Sequence, residues 1–226
     1  MNSRELNHQL VDLIIEGETE WIIFGNHHMD ENHLTLQDMK RVAACVYVYQ
    51  PTVLGLANIG ITDQQIIYLV DELRDNTSLE KLYLPFNAIS DHGAEALAKL
   101  ITHNSSLFEL ILFCNEISNR GMVALAHSLI TNDTLLELEV FCNPFTPDIA
   151  DKFMSALAGN RELETLTLFT DNSGMALPKK LSRQLERNRL HHEQSYNDLH
   201  QLSFLAMKRQ LGESTSPYSP RLGSKR

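Results

Sequence analysis

A spacing of 28 residues runs through the middle of this chain and limits what it can fold into. Leu79 is followed at that interval by Leu107, Leu135 and Leu163, and Leu82 by Leu110, Leu138 and Leu166, with Leu54 one step earlier. Leu84 leads in the same way to Leu112, Val140 and Leu168 and back to Leu56. Two asparagine series keep the interval: Asn87, Asn115 and Asn143, with Asp171 in the last copy, and Asn76, Asn104, Asn132, Asn160 and Asn188. Five positions recurring together mean one supersecondary unit per copy. Each unit is too small to bury its own apolar edge, so the copies must stack.

Each copy has two halves with different periods. Leu82-Tyr83-Leu84 alternates, as a strand with one buried face must. The amide of Asn87 is placed to bond backbone groups where the chain leaves the strand. Ala94, Leu97, Ala98 and Ile101 then fall at i, i+3, i+4 and i+7, an amphipathic helix. Asp91 is the expected N-cap of that helix, and Asn104 with its equivalents sits where a helix end favours a left-handed residue. The fold class expected is α/β, a solenoid with one strand and one helix per copy.

These residues, written LxxLxLxxNxIxDxGAxALA, resemble the ribonuclease-inhibitor-like class of leucine-rich repeats over residues 54–188. The resemblance implies a right-handed β-α horseshoe, with parallel strands on the concave face and helices on the convex face. An earlier copy begins at Trp21-Ile22-Ile23-Phe24, with a helix near Leu36–Val46 and a 32-residue step to Leu54. That makes about six strands within residues 21–188. The copy after it departs from the pattern, because Asn58 falls one place early and Ile59 takes the asparagine position.

The ends read differently. Within residues 1–20, Glu5–Ile15 is expected to form an N-terminal capping helix. Pro178 suits the first turn of a helix through Leu181, Leu185 and Asn188. Residues 189–211 read as a further, C-terminal capping helix carrying Leu199, Leu202, Phe204, Leu205 and Leu211; a basic amphipathic contact for a membrane or partner is its other reading. Residues 212–226, GESTSPYSPRLGSKR, have the composition of a disordered tail.

Charge is split along the chain. Residues 1–177 carry 9 basic and 25 acidic side chains, whereas residues 178–226 carry 10 basic and 4 acidic. An acidic body disfavours nucleic acid, whose phosphates need Lys and Arg, and favours a basic protein partner or simply solubility. Three cysteines without framework spacing suit a reducing compartment. The N-terminal stretch lacks the pattern of a Sec signal, and no apolar run is long enough to span a bilayer. A soluble protein is expected, cytoplasmic or secreted without a Sec signal into a host cell.

Alternation also selects the side chains of the concave face. With Leu82 and Leu84 inward, Lys81, Tyr83 and Pro85 point outward, and steps of 28 give three columns. The first is Val53, Lys81, Glu109, Glu137, Thr165; the second is Gly55, Tyr83, Ile111, Glu139, Thr167; the third is Ala57, Pro85, Phe113, Phe141, Phe169. Phe113, Phe141 and Phe169 would stack into one exposed ridge, widened by Tyr83, Phe86 and Ile111 and bordered by Glu109, Glu137 and Glu139. Exposed apolar ridges mark interaction sites. The resemblance implies the same use, since ribonuclease inhibitor binds its partner through concave aromatic and acidic residues. The alternative is that the rings pack on one another or under the next loop.

Little in the sequence suggests catalysis. His27, His28, Asp30, Glu31 and His33, like His191, His192, Glu193 and His200, lack the convergent spacing of a zinc site. Cys114 and Cys142 share one repeat position, at a separation that permits a disulfide, although two reduced small residues is the simpler reading. No phosphate loop, nucleophile elbow or Cys–His pairing is present, so no metal and no cofactor is expected. Ran GTPase-activating proteins use the same repeat class with polar residues on the concave rim, but these columns hold no Arg and one cation, Lys81. The expected function is protein–protein binding by a monomer. A short repeat protein with a polar, basic-ended tail also resembles virulence effectors that intracellular bacteria inject into host cells; a eukaryotic cytosolic adaptor is the competing source.

Overall fold

The computed structural model describes residues 20–24, 34–170 and 173–210, with side chains described over 34–170 and 173–197. The expected helix at Glu5–Ile15, the His27–His33 cluster and the tail 212–226 lie outside these residues. Two compact units divide the chain, residues 1–188 and 189–226.

Strands β1 (Glu20–Phe24), β2 (Val53–Ala57), β3 (Lys81–Tyr83), β4 (Glu109–Ile111), β5 (Glu137–Glu139) and β6 (Thr165–Thr167) form one sheet in chain order. Every neighbouring pair is parallel. Helices α1 (Leu36–Tyr49), α2 (Asp63–Leu73), α3 (Asp91–His103), α4 (Asn119–Ser128) and α5 (Ile149–Ala156) connect them, and α6 (Lys179–Gln210) follows β6. The 28-residue register holds from β2 onward: Leu54, Leu82, Leu110, Leu138 and Leu166 pair in succession, and all are buried. The first step is longer than expected. Trp21, not Ile22, pairs with Leu54, a step of 33 residues; the helix of this first connection, at 14 residues, is also longer than those of the following repeats.

Sequential units are tied together by repeated polar side chains, and two expectations about them need correction. Asp91 is not the N-cap of its own helix; Ser90 is, and Asp91 is the first helical residue. Its carboxylate reaches the next unit instead, accepting from Ser118 N at 2.8 Å, Ser118 Oγ at 2.7 Å and Gly121 N at 2.9 Å. Asp63 does the same one unit earlier, accepting from Ser90 N, Ser90 Oγ and Gly93 N. Each carboxylate therefore satisfies orphan N–H groups of the following helix, where the helix dipole also favours negative charge. The glycines are required by this approach: a Cβ on Gly121 would lie 2.7 Å from Asp91 Oδ1 and 2.6 Å from Ile117 Cγ2. Burial alone would push the Asp91 carboxyl up, but the bonds from Ser118 and Gly121 hold it below its ordinary value.

Asn104 is not a left-handed helix terminator either. It is extended, with φ −84° and ψ 138°. Its amide is what the position needs: Nδ2 donates to the Asn76 carbonyl at 2.8 Å while Oδ1 accepts from Ser106 N and Leu107 N. Asn160 repeats this arrangement on the Asn132 carbonyl, Asn132 keeps the acceptor side but donates to the Ile101 carbonyl at 2.8 Å, and Asn188 donates to the Leu163 carbonyl at 2.8 Å. Asn188 does so from inside a helix, because α6 is one continuous helix rather than two. No Gly or Pro interrupts residues 179–210, so nothing breaks it at the expected boundary near residue 189. Leu181 and Leu185, from its first turns, are buried against the last repeat's core.

Candidate functional site

The outward columns emerge from the sheet in the expected register: Lys81, Glu109, Glu137 and Thr165 align, as do Tyr83, Ile111, Glu139 and Thr167. Immediately beyond the strands the chain must turn sharply, and it does so through a residue with left-handed backbone in four consecutive units. These are Asn58, Phe86, Cys114 and Cys142, with φ between 53° and 57°. Asn is the non-glycine residue best suited to that conformation. Asn58 is therefore in its proper place as the turn residue, not a ladder asparagine displaced by one. Ile59, in the ladder position, donates its N–H to Asn87 Oδ1 at 3.2 Å instead.

The following residue closes the turn. Asn87 accepts from Ile59 N and Ile61 N and donates to the Leu56 and Leu84 carbonyls. Asn115 and Asn143 bond the next units equivalently. Among the described residues, no buried side-chain nitrogen or oxygen lacks a partner.

This rigid turn sets the aromatic ridge, whose membership differs from expectation. Phe113 and Phe141 stack face to face, centroids 4.6 Å apart and planes inclined by 8°. Phe86 meets Phe113 edge-on at 5.2 Å. Phe86 is 47% exposed while holding φ 57°, a conformation that costs a bulky residue about 1–3 kcal/mol. Phe113 and Phe141 are half-buried rather than openly exposed. Phe169 leaves the ridge: it packs against the core and pairs with Phe145 at 6.1 Å. The cause is legible in the repeat, because Phe145 replaces the buried Ile61, Ile89 and Ile117 of earlier units and its larger ring reaches Phe169. Ile111 is also no part of an exposed patch. It is 7% exposed, flanked in register by Tyr83 and Glu139 and followed on the same side by Phe113. The continuous ridge is Phe86–Phe113–Phe141.

Beside it lies an uneven set of charges. Glu109 is met by Lys81 Nζ at 3.0 Å, and Tyr83 is pushed above its ordinary pKa by burial and then by hydrogen bonding to Glu109. Among the described residues Glu137 and Glu139 form no ion pair, although Lys81 partly offsets the shift of Glu137. Burial raises both carboxyls, and the charge of Glu109 raises them further, with Glu139 adding to the effect on Glu137. This face thus joins stacked rings to two carboxylates that make no ion pair among the described residues (a pattern complementary to Lys or Arg, which pair with carboxylate and ring alike).

No three His, Cys, Asp or Glu side chains group as a metal set would among the described residues. No helix among them is long and apolar enough to cross a membrane. Sequence reasoning missed the left-handed turn column; its signal was the triplet Phe113-Cys114-Asn115 repeated as Phe141-Cys142-Asn143.

Comparison with known proteins agrees with this architecture. Residues 75–98 and 103–126 match the family described as Leucine Rich repeat. Among solved structures, the chain is similar to "Leiomodin-1 Actin-Binding Site 2 (ABS2)" at 22% identity and a TM-score of 0.64, over 75% of this chain and 98% of that one. It is also similar to the Caenorhabditis elegans tropomodulin C-terminal domain at 20% identity and a TM-score of 0.62, over 71% of this chain and 99% of that one. Likeness at these identities is one of fold. No curated protein matches the sequence.

Proposed function

We propose that this leucine-rich-repeat protein is a non-catalytic binding module that grips a basic segment of a partner protein on its concave face. The carrying observation is the ridge Phe86–Phe113–Phe141 set beside Glu137 and Glu139. A cationic side chain laid on the rings would also relieve the repulsion among the carboxylates. Activation of a GTPase is disfavoured, since Lys81, the one cation of these columns, is engaged by Glu109. Because one structure of similar fold is that of a leiomodin actin-binding site, actin is the first partner to assay. The reading as a monomeric effector, delivered by an intracellular bacterium into the host cytoplasm, rests on the polar, basic-ended tail read from the sequence; a translocation reporter on that tail tests it against a eukaryotic adaptor.

The binding test uses wild type, Phe141→Ala and Glu139→Lys, each shown to be folded by circular dichroism. Actin co-sedimentation and affinity capture from host cytosol should both be run at two salt concentrations. Capture that is lost in both variants and weakened by salt supports the proposal. Retention of the full captured set by both variants excludes the concave face.

A further inference from the structure

Cys114 and Cys142 occupy one position in neighbouring units, directly before Asn115 and Asn143. The parallel ladder continues past the strands to reach them. Leu112 N donates to the Glu139 carbonyl at 2.8 Å and Cys114 N to the Phe141 carbonyl at 3.1 Å. Parallel neighbours lie about 4.8 Å apart, within the roughly 4.4–6.8 Å Cα separation that a disulfide spans. Both residues take the same left-handed backbone, φ 55° and 53°, so their Cα–Cβ bonds run side by side. The rings one residue earlier, stacked at 4.6 Å, show how tightly equivalent side chains travel together here. Cys142 is exposed and Cys114 half-buried.

We infer that Cys114 and Cys142 form a dithiol that low-molecular-weight disulfides convert into an inter-repeat disulfide. Burial, with the neighbouring Cys142 adding to it, pushes the Cys114 thiol up, so the exposed Cys142 is the first nucleophile. Its thiolate attacks one sulfur of the small disulfide RSSR, forms the mixed disulfide Cys142–S–SR and expels RS⁻. The Cys114 thiolate then attacks Sγ of Cys142 and expels the second RS⁻. The two thiol protons pass to the two departing thiolates. The protein loses two electrons and two protons, and RSSR is reduced to two RSH. Each cysteine directly follows a ring of the stack, so the crosslink fixes the spacing of Phe113 and Phe141.

The full chain, purified reduced and treated anaerobically with oxidised glutathione, provides the test. Titratable thiols should fall from the three present in the sequence to one, without retained glutathione and without dimers. Peptide mapping should link Cys114 to Cys142, and the melting temperature should rise. Cys45→Ser should form the same link. Cys114→Ser should instead hold glutathione on Cys142 as a stable mixed disulfide. Glutathione retained on wild-type Cys142, a link between chains, or a link to Cys45 would each overturn the inference.

Discussion

Two sets of polar side chains, both placed by the 28-residue repeat, behave oppositely. Asn87, Asn115 and Asn143 lie inside the turns with both ends of each amide bonded to backbone. Glu109, Glu137 and Glu139 lie on the concave face, where one carboxylate is paired with Lys81 and two form no ion pair among the described residues. An amide is neutral and offers a donor and an acceptor, so burial with full bonding closes its accounts within the chain. A carboxylate is charged and only accepts, and its half-burial beside like charge leaves an interaction unmet. The first set holds the solenoid together; the second leaves affinity for something else.

The largest expected effect lies in the inner column. Asn115→Ala leaves the Ile89 N–H without its acceptor and removes one of the two amide donors to each of the Leu84 and Leu112 carbonyls, which keep Asn87 and Asn143, and should cost on the order of 2–4 kcal/mol in urea unfolding. A loss below about 1 kcal/mol would show that water replaces the amide freely and that the two sets do not differ. Phe141→Ala on the ridge should cost less, about 1–2 kcal/mol against the roughly 3–5 of a core Phe. One ring face is covered by Phe113, and the side chain as a whole is only half-buried. A core-sized loss would move the ridge into the structural class.

The smallest effect carries a sign. The folded pKa of Glu137 is raised, so its ionisation destabilises the fold; the penalty is fully present above its folded pKa and absent below the ordinary carboxylate value. Glu137→Gln should therefore stabilise slightly at neutral pH, by a few tenths of a kcal/mol given its exposure, and the gain should vanish as pH falls into the carboxylate range. Asp91 runs the other way. Its folded pKa is lowered, so it stabilises above the ordinary aspartate value, and that contribution is lost as pH falls through its folded value. Asp91→Asn should be destabilising at neutral pH and progressively less so in acid. Thermal melts across pH check both. Equal signs for the two variants would erase the contrast between an inner, satisfied carboxylate and an outward, unsatisfied one.

The repeat by itself determined the solenoid, the strand register from Leu54 to Leu166 and the identity of the outward columns, because a fixed interval forces equivalent residues into equivalent places. It could not determine how far each outward residue is covered. Phe113 and Phe169 share one repeat position, yet one stacks on Phe141 and the other turns to Phe145, since the neighbouring unit decides what each ring meets. Ile111 shares its column with Tyr83 and Glu139 yet is buried between them. Asp91 looked like a cap for its own helix because sequence displays only local neighbours; the stack placed the next helix's N–H groups closer to hand. The left-handed turn left only a repeated Phe-Cys-Asn triplet in the sequence, since Phe and Cys are not residues that announce that conformation. Periodicity is a property of one chain read along its length, whereas burial and bonding arise between units 28 residues apart, where only the tertiary structure brings them into contact.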